Sequence, residues 1–148
     1  MLIKDTKILL VEDNPDDVEL TLLAFKKYKF SNEIIVARDG QEALDILFPP
    51  KAKSEKSKLP DIILLDLKLP KVSGLDVLKE IKNHPETKII PVIILTTSNE
   101  ERDLRDSYRL GVNSYIRKPI KFNKFVEVIK QLGLYWLLLN QVPLQKQE

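Results

Sequence analysis

The chain has 148 residues, a length typical of one compact domain, and its 43% hydrophobic and 31% charged residues indicate a globular protein. A formal net charge of only +2 argues against nucleic acid as the main partner, because neutralising phosphates needs a clustered basic face. The absence of cysteine excludes disulfides and thiolate metal sites, and the single histidine, His84, excludes a zinc cluster built on histidines. No signal peptide and no apolar run long enough to span a bilayer is evident, so we expect a cytoplasmic protein with no membrane partner.

Five short apolar runs predict β-strands, and they recur at about the period of a βα unit. They cover residues 7–11, 33–37, 61–65, 91–95 and 114–117. The first, third and fourth runs are apolar at every position but their ends, which is typical of parallel strands covered by helices on both faces.

Helices are predicted between the strands and after the last one. Asn14 is a candidate N-cap followed by Pro15 in the first turn, and Gly111 is a candidate C-cap. The lysine-rich segment 49–60 is predicted to be a solvated loop, with a nucleic-acid patch as the alternative. Strict alternation of five strands and five helices implies an open, doubly wound parallel sheet with right-handed crossovers. The predicted helices cover about residues 14–27, 40–48, 74–83, 100–110 and 123 to beyond 136.

Charged and hydroxyl side chains stand where four of the five predicted strands end. In open α/β sheets, ligands bind outside the carboxyl ends of the strands, where the strand order reverses. We therefore expect three carboxylates, one hydroxyl and one amine to converge at one edge of the sheet. These residues are Glu12 and Asp13 after the first strand, Asp66 after the third, Thr96 after the fourth and Lys118 after the fifth.

This set of side chains suits phosphoryl chemistry with a hard cation. Three neighbouring carboxylates repel one another and would bind a proton or a cation, and oxygen ligands with room for water suit Mg²⁺. Bound Mg²⁺ would draw charge from an incoming phosphoryl group. Asp66 is the natural nucleophile, because an aspartate can form an acyl phosphate. Lys118 would pair with the phosphoryl oxygens, and the Thr96 hydroxyl would donate to another of them.

Each of these residues alone has an ordinary structural interpretation, but their joint occurrence at four strand ends favours a functional site. A phosphohydrolase of the haloacid dehalogenase type needs an aspartate two residues after the nucleophile, where this chain has Lys68. A flavodoxin-like flavin-binding module needs a hydroxyl/glycine loop after the first strand, where Glu12 and Asp13 would repel a phosphate. The glycine-lysine motif of P-loop enzymes is missing from the sequence.

Four short motifs carry a resemblance to a known family. They are Val11-Glu12-Asp13, Leu64-Leu65-Asp66 with Leu69-Pro70 and Gly74, Leu95-Thr96, and Lys118-Pro119. On these motifs, residues 7–132 resemble the CheY-like receiver domains of bacterial two-component systems. The resemblance implies a flavodoxin-like, three-layer (βα)5 fold with a five-stranded parallel sheet in the order 2-1-3-4-5. It also implies that residues 1–148 form a single receiver domain, with a core of about 5–136 and a C-terminal extension over 137–148.

The resemblance also implies a role for each site residue. It makes Asp66 the phosphoacceptor, and it has Asp13 bind Mg²⁺ directly and Glu12 bind it through water. Asp66 and the backbone carbonyl of Lys68 are the further metal ligands that it implies. The implied phosphate-binding and switch residues are Thr96, Tyr115 and Lys118, and the bond from Lys118 to Pro119 is expected to be cis.

Within the family, the chain most resembles the stand-alone regulators of bacterial, cyanobacterial-type phytochromes. Residues 11–17, the insertion before Leu59 and a C-terminal helix with an aromatic tail carry this resemblance. It implies that a phytochrome-type sensor histidine kinase phosphorylates Asp66. Signalling would follow from a shape change in the face formed by the fourth helix, the fifth strand and the fifth helix.

We expect a regulator that is not an enzyme, apart from assisting its own phosphorylation and dephosphorylation, because no helix-turn-helix or catalytic output domain is evident. Such a chain acts by binding a partner. Two alternatives stay open: a stand-alone receiver of another two-component pathway, and a degenerate receiver that acts as a phosphorylation-independent binding module.

Two predicted helices carry more apolar residues than one core face needs. On the first, one stripe consists of Leu20, Leu23 and Ala24 and a second one of Val18, Leu22 and Phe25. The surplus stripe would suit docking of a kinase. On the last, a surplus face predicts a homodimer interface, with overhang onto the chain's own core as the alternative. The candidate interface residues are Val128, Leu132, Tyr135, Trp136 and Leu139.

Overall fold

A five-stranded parallel sheet forms the centre of the computed structural model, which describes residues 7–27, 33–50 and 59–132. The strand order β2-β1-β3-β4-β5 confirms the predicted doubly wound topology. Each predicted strand is present to within one residue at either end. The strands are β1 Lys7–Val11, β2 Glu33–Ala37, β3 Ile62–Leu65, β4 Val92–Thr96 and β5 Ser114–Arg117.

Within residues 7–27, 33–50 and 59–132, five helices of two turns or more separate and follow the strands, as predicted; the predicted continuation of the last helix past residue 132 lies outside the described residues. They are α1 Pro15–Lys27, α2 Gly40–Leu47, α3 Gly74–Asn83, α4 Glu101–Arg109 and α5 Phe122–Leu132. The Asn14 side chain caps α1 as expected, because its Oδ1 accepts from the backbone N–H of Asp16 at 2.9 Å. Gly111 has a φ of +99°, in agreement with its predicted place after α4.

A one-turn helix, Pro85–Lys88, interrupts the strict alternation that the sequence predicted. Pro85 ends α3, as expected, but a proline also fits the first turn of a new helix, where its missing N–H costs nothing. The buried Thr87 hydroxyl donates to the carbonyl of Ile81 at 2.6 Å and holds this turn against α3.

Alternating strand residues divide the core into two layers, one on each face of the sheet. Ile8 and Leu10 of β1 lie in the layer that α1 and α5 cover, with Phe25 and Ile129. Leu9 and Val11 of β1 lie in the opposite layer, which α2 and α3 cover with residues such as Ala43, Leu47, Val77, Leu78 and Ile81. Burial on both faces explains why β1, β3 and β4 are apolar at nearly every position.

The apolar surplus on α1 is real but divides differently from the prediction. Val18 and Phe25 are buried, whereas Leu22, which was predicted to share their stripe, is 38% exposed. Ala24, which was predicted to lie in the stripe of Leu20 and Leu23, is buried as well. Leu20 and Leu23 are 43% and 46% exposed. Thr21, which the apolar pattern did not include, is buried, and its Oγ1 is satisfied because it donates to the Asp17 carbonyl at 2.8 Å.

The proposed dimer face on the last helix falls largely outside the described residues. Val128 is half-buried on α5. The side chain of Leu132 and all of Tyr135, Trp136 and Leu139 lie beyond the part of the chain that the structure describes, as do residues 51–58 of the lysine-rich loop. Within the described ranges, no helix is long and apolar enough to cross a membrane.

Gly74 begins α3 in direct contact with the end of β3. Its N–H donates to the carbonyl of Leu67 at 3.0 Å, and a Cβ atom here would overlap the carbonyl of Asp66 and the Cα of Leu67. Only a glycine lets α3 approach so closely. This contact fixes the backbone around Asp66.

We predict that Gly74→Ala lowers the free energy of unfolding by about 2 kcal/mol, because the backbone around Asp66 must move to admit the methyl group. Helix propensity alone favours alanine by about 1 kcal/mol, so it predicts the opposite sign. Lys79→Ala, at an exposed position of the same helix, is the control and should change stability by about 0.5 kcal/mol or less. Urea unfolding measures both variants, and a Gly74→Ala protein as stable as the control would contradict the prediction.

Candidate functional site

The register of the sheet brings the predicted site residues to one edge. Val11 of β1 pairs with Leu65 of β3, so the next residues, Glu12 and Asp66, leave the sheet side by side. The Asp66 N–H donates to the Val11 carbonyl at 3.0 Å and extends this pairing. Farther along the same sheet, where β5 pairs with β4, the N–H of Lys118 donates to the carbonyl of Thr96 at 2.7 Å. This bond places the lysine at the same edge as Glu12 and Asp66.

Three carboxylates meet at this edge. Glu12, Asp13 and Asp66 each offer an oxygen, and these oxygens lie within 4.8 Å of one another. Glu12 and Asp66 are only 2% and 4% exposed, whereas Asp13 faces solvent. Two nearly buried acids beside a third, exposed one form a pocket that is open on one side.

The ammonium of Lys118 contacts three carboxylates. Its Nζ lies 2.8 Å from Glu12 Oε1, 3.3 Å from Asp66 Oδ2 and 2.7 Å from Asp17 Oδ2. The lysine side chain is 9% exposed, so these contacts form largely away from water. Asp17 in the first turn of α1 is therefore part of the site, in addition to the favourable interaction that any acid makes with a helix N-terminus.

The electrostatics of the pocket follow from this crowding of acids around one ammonium. Burial raises the pKa of Glu12 to about 7, against the hydrogen bond from Lys118, which lowers it; the charge of Asp66 raises it further. Burial alone would lower the pKa of Lys118, but hydrogen bonds to Asp17 and Glu12 and the charge of Asp66 raise it above its ordinary value. Lys118 is therefore charged at neutral pH.

Ser98 links Thr96, the hydroxyl residue at the end of β4, to Tyr115, the predicted switch aromatic. The fully buried Thr96 accepts at Oγ1 from the Ser98 N–H at 3.3 Å, and the Tyr115 hydroxyl donates to the Ser98 carbonyl at 3.3 Å. The Ser98 hydroxyl donates to Asp103 Oδ2 of α4 at 2.5 Å, and both side chains are buried. A shift of Thr96 would therefore be felt at both α4 and β5.

The structure brings most of the predicted site residues together, and it adds three that sequence reasoning missed. The Lys68 N–H donates to Asp66 Oδ1 at 3.1 Å, while metal binding by its carbonyl stays a prediction. The bond from Lys118 to Pro119 is cis, the geometry that the resemblance implied. Asp17, Ser98 and Asp103 had no distinguishing signal, because acids in a first helical turn and a serine in a loop are common.

The donor set of the pocket fits a hard divalent cation. Glu12, Asp13 and Asp66 supply oxygen atoms alone, and the exposure of Asp13 leaves room for water ligands. Mg²⁺ is usually held by few carboxylates with several waters, whereas softer metals favour imidazole or thiolate. The residues present are those that Mg²⁺ prefers.

We predict that Ser98→Ala lowers the free energy of unfolding by about 1 to 3 kcal/mol, because it leaves the buried Asp103 carboxylate without the hydroxyl that donates to it. Thr97→Ala, at the exposed neighbouring position, serves as the control and should have a small effect. Urea unfolding compares the two variants. Equal midpoints would mean that the Ser98–Asp103 hydrogen bond is not formed in solution.

Comparison with known proteins gives matches along most of the chain. The family of response regulator receiver domains matches residues 8–130. The probable methanogenesis regulatory protein FilR2 from Methanothrix harundinacea is 42% identical over 136 residues, which cover 92% of this chain and 86% of FilR2. The response regulator Rcp1 from Synechocystis sp. is 41% identical over 136 residues, which cover 92% of either protein.

Solved structures agree with this assignment. The phosphorylated cyanobacterial phytochrome response regulator RcpA matches with a TM-score of 0.84 at 39% identity, covering 95% of this chain and 99% of RcpA. The Mn²⁺-bound form of Rcp1 matches with a TM-score of 0.82 at 39% identity, covering 94% and 99%. The bacteriophytochrome response regulator AtBRR has a TM-score of 0.72 at 50% identity, covering 93% and 99%. The chain thus belongs to the response regulator receiver domain family, and phytochrome response regulators are among its close homologues.

Proposed function

We propose that the chain is a stand-alone response regulator that accepts a phosphoryl group on the Asp66 carboxylate. The observation that carries this proposal is the position of Asp66, nearly buried, between the acid pair and the ammonium of Lys118. The Asp66 carboxylate has a cationic partner, the ammonium of Lys118, at a distance of 3.3 Å. That partner can neutralise charge on an arriving phosphoryl group.

The proposed reaction transfers a phosphoryl group from the imidazole of a sensor histidine kinase. One oxygen of Asp66 attacks the phosphorus, the P–N bond breaks, and an acyl phosphate forms while the imidazole nitrogen keeps the electron pair. Lys118 binds an oxygen of the transferred group as a point charge, and the Thr96 hydroxyl donates to another. The chain is not an enzyme in this proposal beyond assisting its own phosphorylation and dephosphorylation.

The proposed cofactor is one Mg²⁺ ion. Asp13 and Asp66 would hold it directly and Glu12 through water, with the backbone carbonyl of Lys68 as a further ligand. When bound, the ion withdraws negative charge from the phosphoryl oxygens. The oxygen-only donor set of the pocket supports this assignment, and a similar protein, Rcp1, has been solved with Mn²⁺ bound.

The proposed signal is a shape change in the face formed by α4, β5 and α5. Thr96 moves toward the phosphoryl group, and Tyr115 swings into the space that it leaves. The hydrogen bonds of Ser98 to both residues support this coupling, because Ser98 cannot follow Thr96 without disturbing its bonds to Tyr115 and Asp103.

The proposed partner is a phytochrome-type histidine kinase, in the cytoplasm. RcpA and AtBRR, which this chain resembles, are phytochrome and bacteriophytochrome response regulators. The alternative is another two-component pathway, since FilR2 is as similar in sequence as Rcp1. On α1, the exposed Leu20 and Leu23 offer an apolar face beside the pocket on which a kinase could dock.

We also propose that residues 1–148 form a single receiver domain. In this proposal the domain has no nucleic acid or membrane partner.

Incubation with Mg²⁺ and a small acyl phosphate tests the phosphoacceptor by intact mass. We expect a phosphoryl adduct on the wild type and none on Asp66→Asn, because an amide cannot form the acyl phosphate. Asp61→Asn, a partly exposed aspartate at the opposite end of β3, is the control and should accept the group. An adduct on Asp66→Asn would show that the acceptor is another residue, and no adduct on the wild type would favour a phosphorylation-independent binding module.

The same assay with phosphorylated kinases as donors tests the proposed partner. A phytochrome-type kinase should transfer its phosphoryl group to the wild type faster than an unrelated histidine kinase does. Equal rates from both donors would contradict the phytochrome pairing while leaving Asp66 as the acceptor.

We further propose a homodimer formed through Val128, Leu132, Tyr135, Trp136 and Leu139. The apolar character of these residues supports it, since apolar surface that a chain's own core does not use is often buried at an interface. Sedimentation at high micromolar concentration should show a dimer, and Val128→Lys should shift it toward monomer, because a buried charge opposes association. Lys124→Ala on the exposed side of α5 is the control. A wild type that stays monomeric with and without phosphorylation would remove the idea.

A further inference from the structure

We propose that Asp17 is a positioning residue of the pocket: it gives the Lys118 ammonium a partner outside the metal-binding carboxylates and so makes those carboxylates available to the cation. This inference rests on the proposed function. Among the described residues, Asp17 is the one carboxylate in contact with Lys118 that lies outside the acid cluster.

The first step of the argument is the number of donors on Lys118. An ammonium has three N–H groups, and Lys118 Nζ lies within 3.3 Å of three carboxylates, those of Glu12, Asp17 and Asp66. Two of these, Glu12 and Asp66, also belong to the oxygen cluster that suits a divalent cation. The ammonium and the cation therefore compete for the same two side chains.

The second step is the charge. A divalent cation that enters the cluster repels the ammonium and weakens its attraction to Glu12 and Asp66, because it neutralises both carboxylates. Asp17 offers no oxygen to the cluster, so a cation bound there does not take its place beside Lys118. At 2.7 Å it also forms the shortest of the three contacts with Lys118. Asp17 can thus hold Lys118 beside the pocket while the cation takes the other two acids.

The third step is the position of Asp17 in the first turn of α1, from which its side chain reaches Lys118. Asn14 caps the first turn of α1, and its Oδ1 lies 3.4 Å from the N–H of Asp17. The Asp17 side chain is 28% exposed, so it reaches Lys118 from the solvent side of the nearly buried Glu12. Its neighbour Asp16 has the same charge and lies in the same turn, but it faces solvent and does not contact Lys118 within the described residues.

Titration calorimetry with Mg²⁺ on the full chain tests this proposal. We expect Asp17→Asn to bind Mg²⁺ roughly fivefold more weakly than the wild type, the scale of a partly exposed ion pair. Asp16→Asn, which loses the same charge from the same turn, should bind close to the wild type. Asp17→Glu keeps the carboxylate and should recover most of the lost affinity.

Repeating the measurement in a protein that also carries Lys118→Met tests whether Asp17 acts through the lysine. A general effect of its charge, or of folding, on Mg²⁺ affinity would persist there. Without the ammonium, Asp17→Asn and Asp16→Asn should bind Mg²⁺ equally, because Asp17 has no lysine to hold. The proposal is overturned if Asp17→Asn binds like Asp16→Asn in the wild-type background, or if its loss of affinity persists unchanged in Lys118→Met. A wild type that binds no Mg²⁺ would instead remove the proposed metal site, and this inference with it.

Discussion

The contact of one ammonium with three carboxylates is the interaction on which the rest of the site depends. Glu12 and Asp66 are nearly buried and repel each other, and Lys118 supplies the positive charge that lets both remain in the pocket. The sheet makes this possible, because parallel register places the ends of β1 and β3 side by side and β5 two strands away from β3. A pocket with surplus negative charge and one bound ammonium is ready to exchange part of that contact for a cation or a phosphoryl group.

The loop after β4 connects this pocket to the neighbouring strand β5 and to α4. Ser98 bonds to Thr96 in the site, to Asp103 on α4 and to Tyr115 on β5. Because these groups are wholly or partly buried, their hydrogen bonds are costly to break and are unlike those of a solvated loop. In the proposed mechanism, a charge added at Asp66 therefore has a short path to the face formed by α4, β5 and α5.

The strands and the convergence of Glu12, Asp66, Thr96 and Lys118 could be predicted, because buried parallel strands and strand-end polar residues leave strong patterns in a sequence. The order of the strands in the sheet followed from the family resemblance. Asp17 and Ser98 could not be predicted, since their importance comes from contacts across 101 and 17 residues of chain. Helix α4 buries Asp103 and Ser107, whose place in the core no hydrophobic pattern would indicate. The helix Pro85–Lys88 was missed because a proline both ends one helix and begins the next.

The stability of Lys118→Met in metal-free buffer tests most directly whether the ammonium holds the acids together. Lys121→Met, at an exposed position nearby, removes the same charge and is the control. The account predicts that Lys118→Met lowers the free energy of unfolding by about 2 kcal/mol relative to the control, and that added Mg²⁺ restores part of the loss. A Lys118→Met protein as stable as Lys121→Met, with no gain from Mg²⁺, would contradict it.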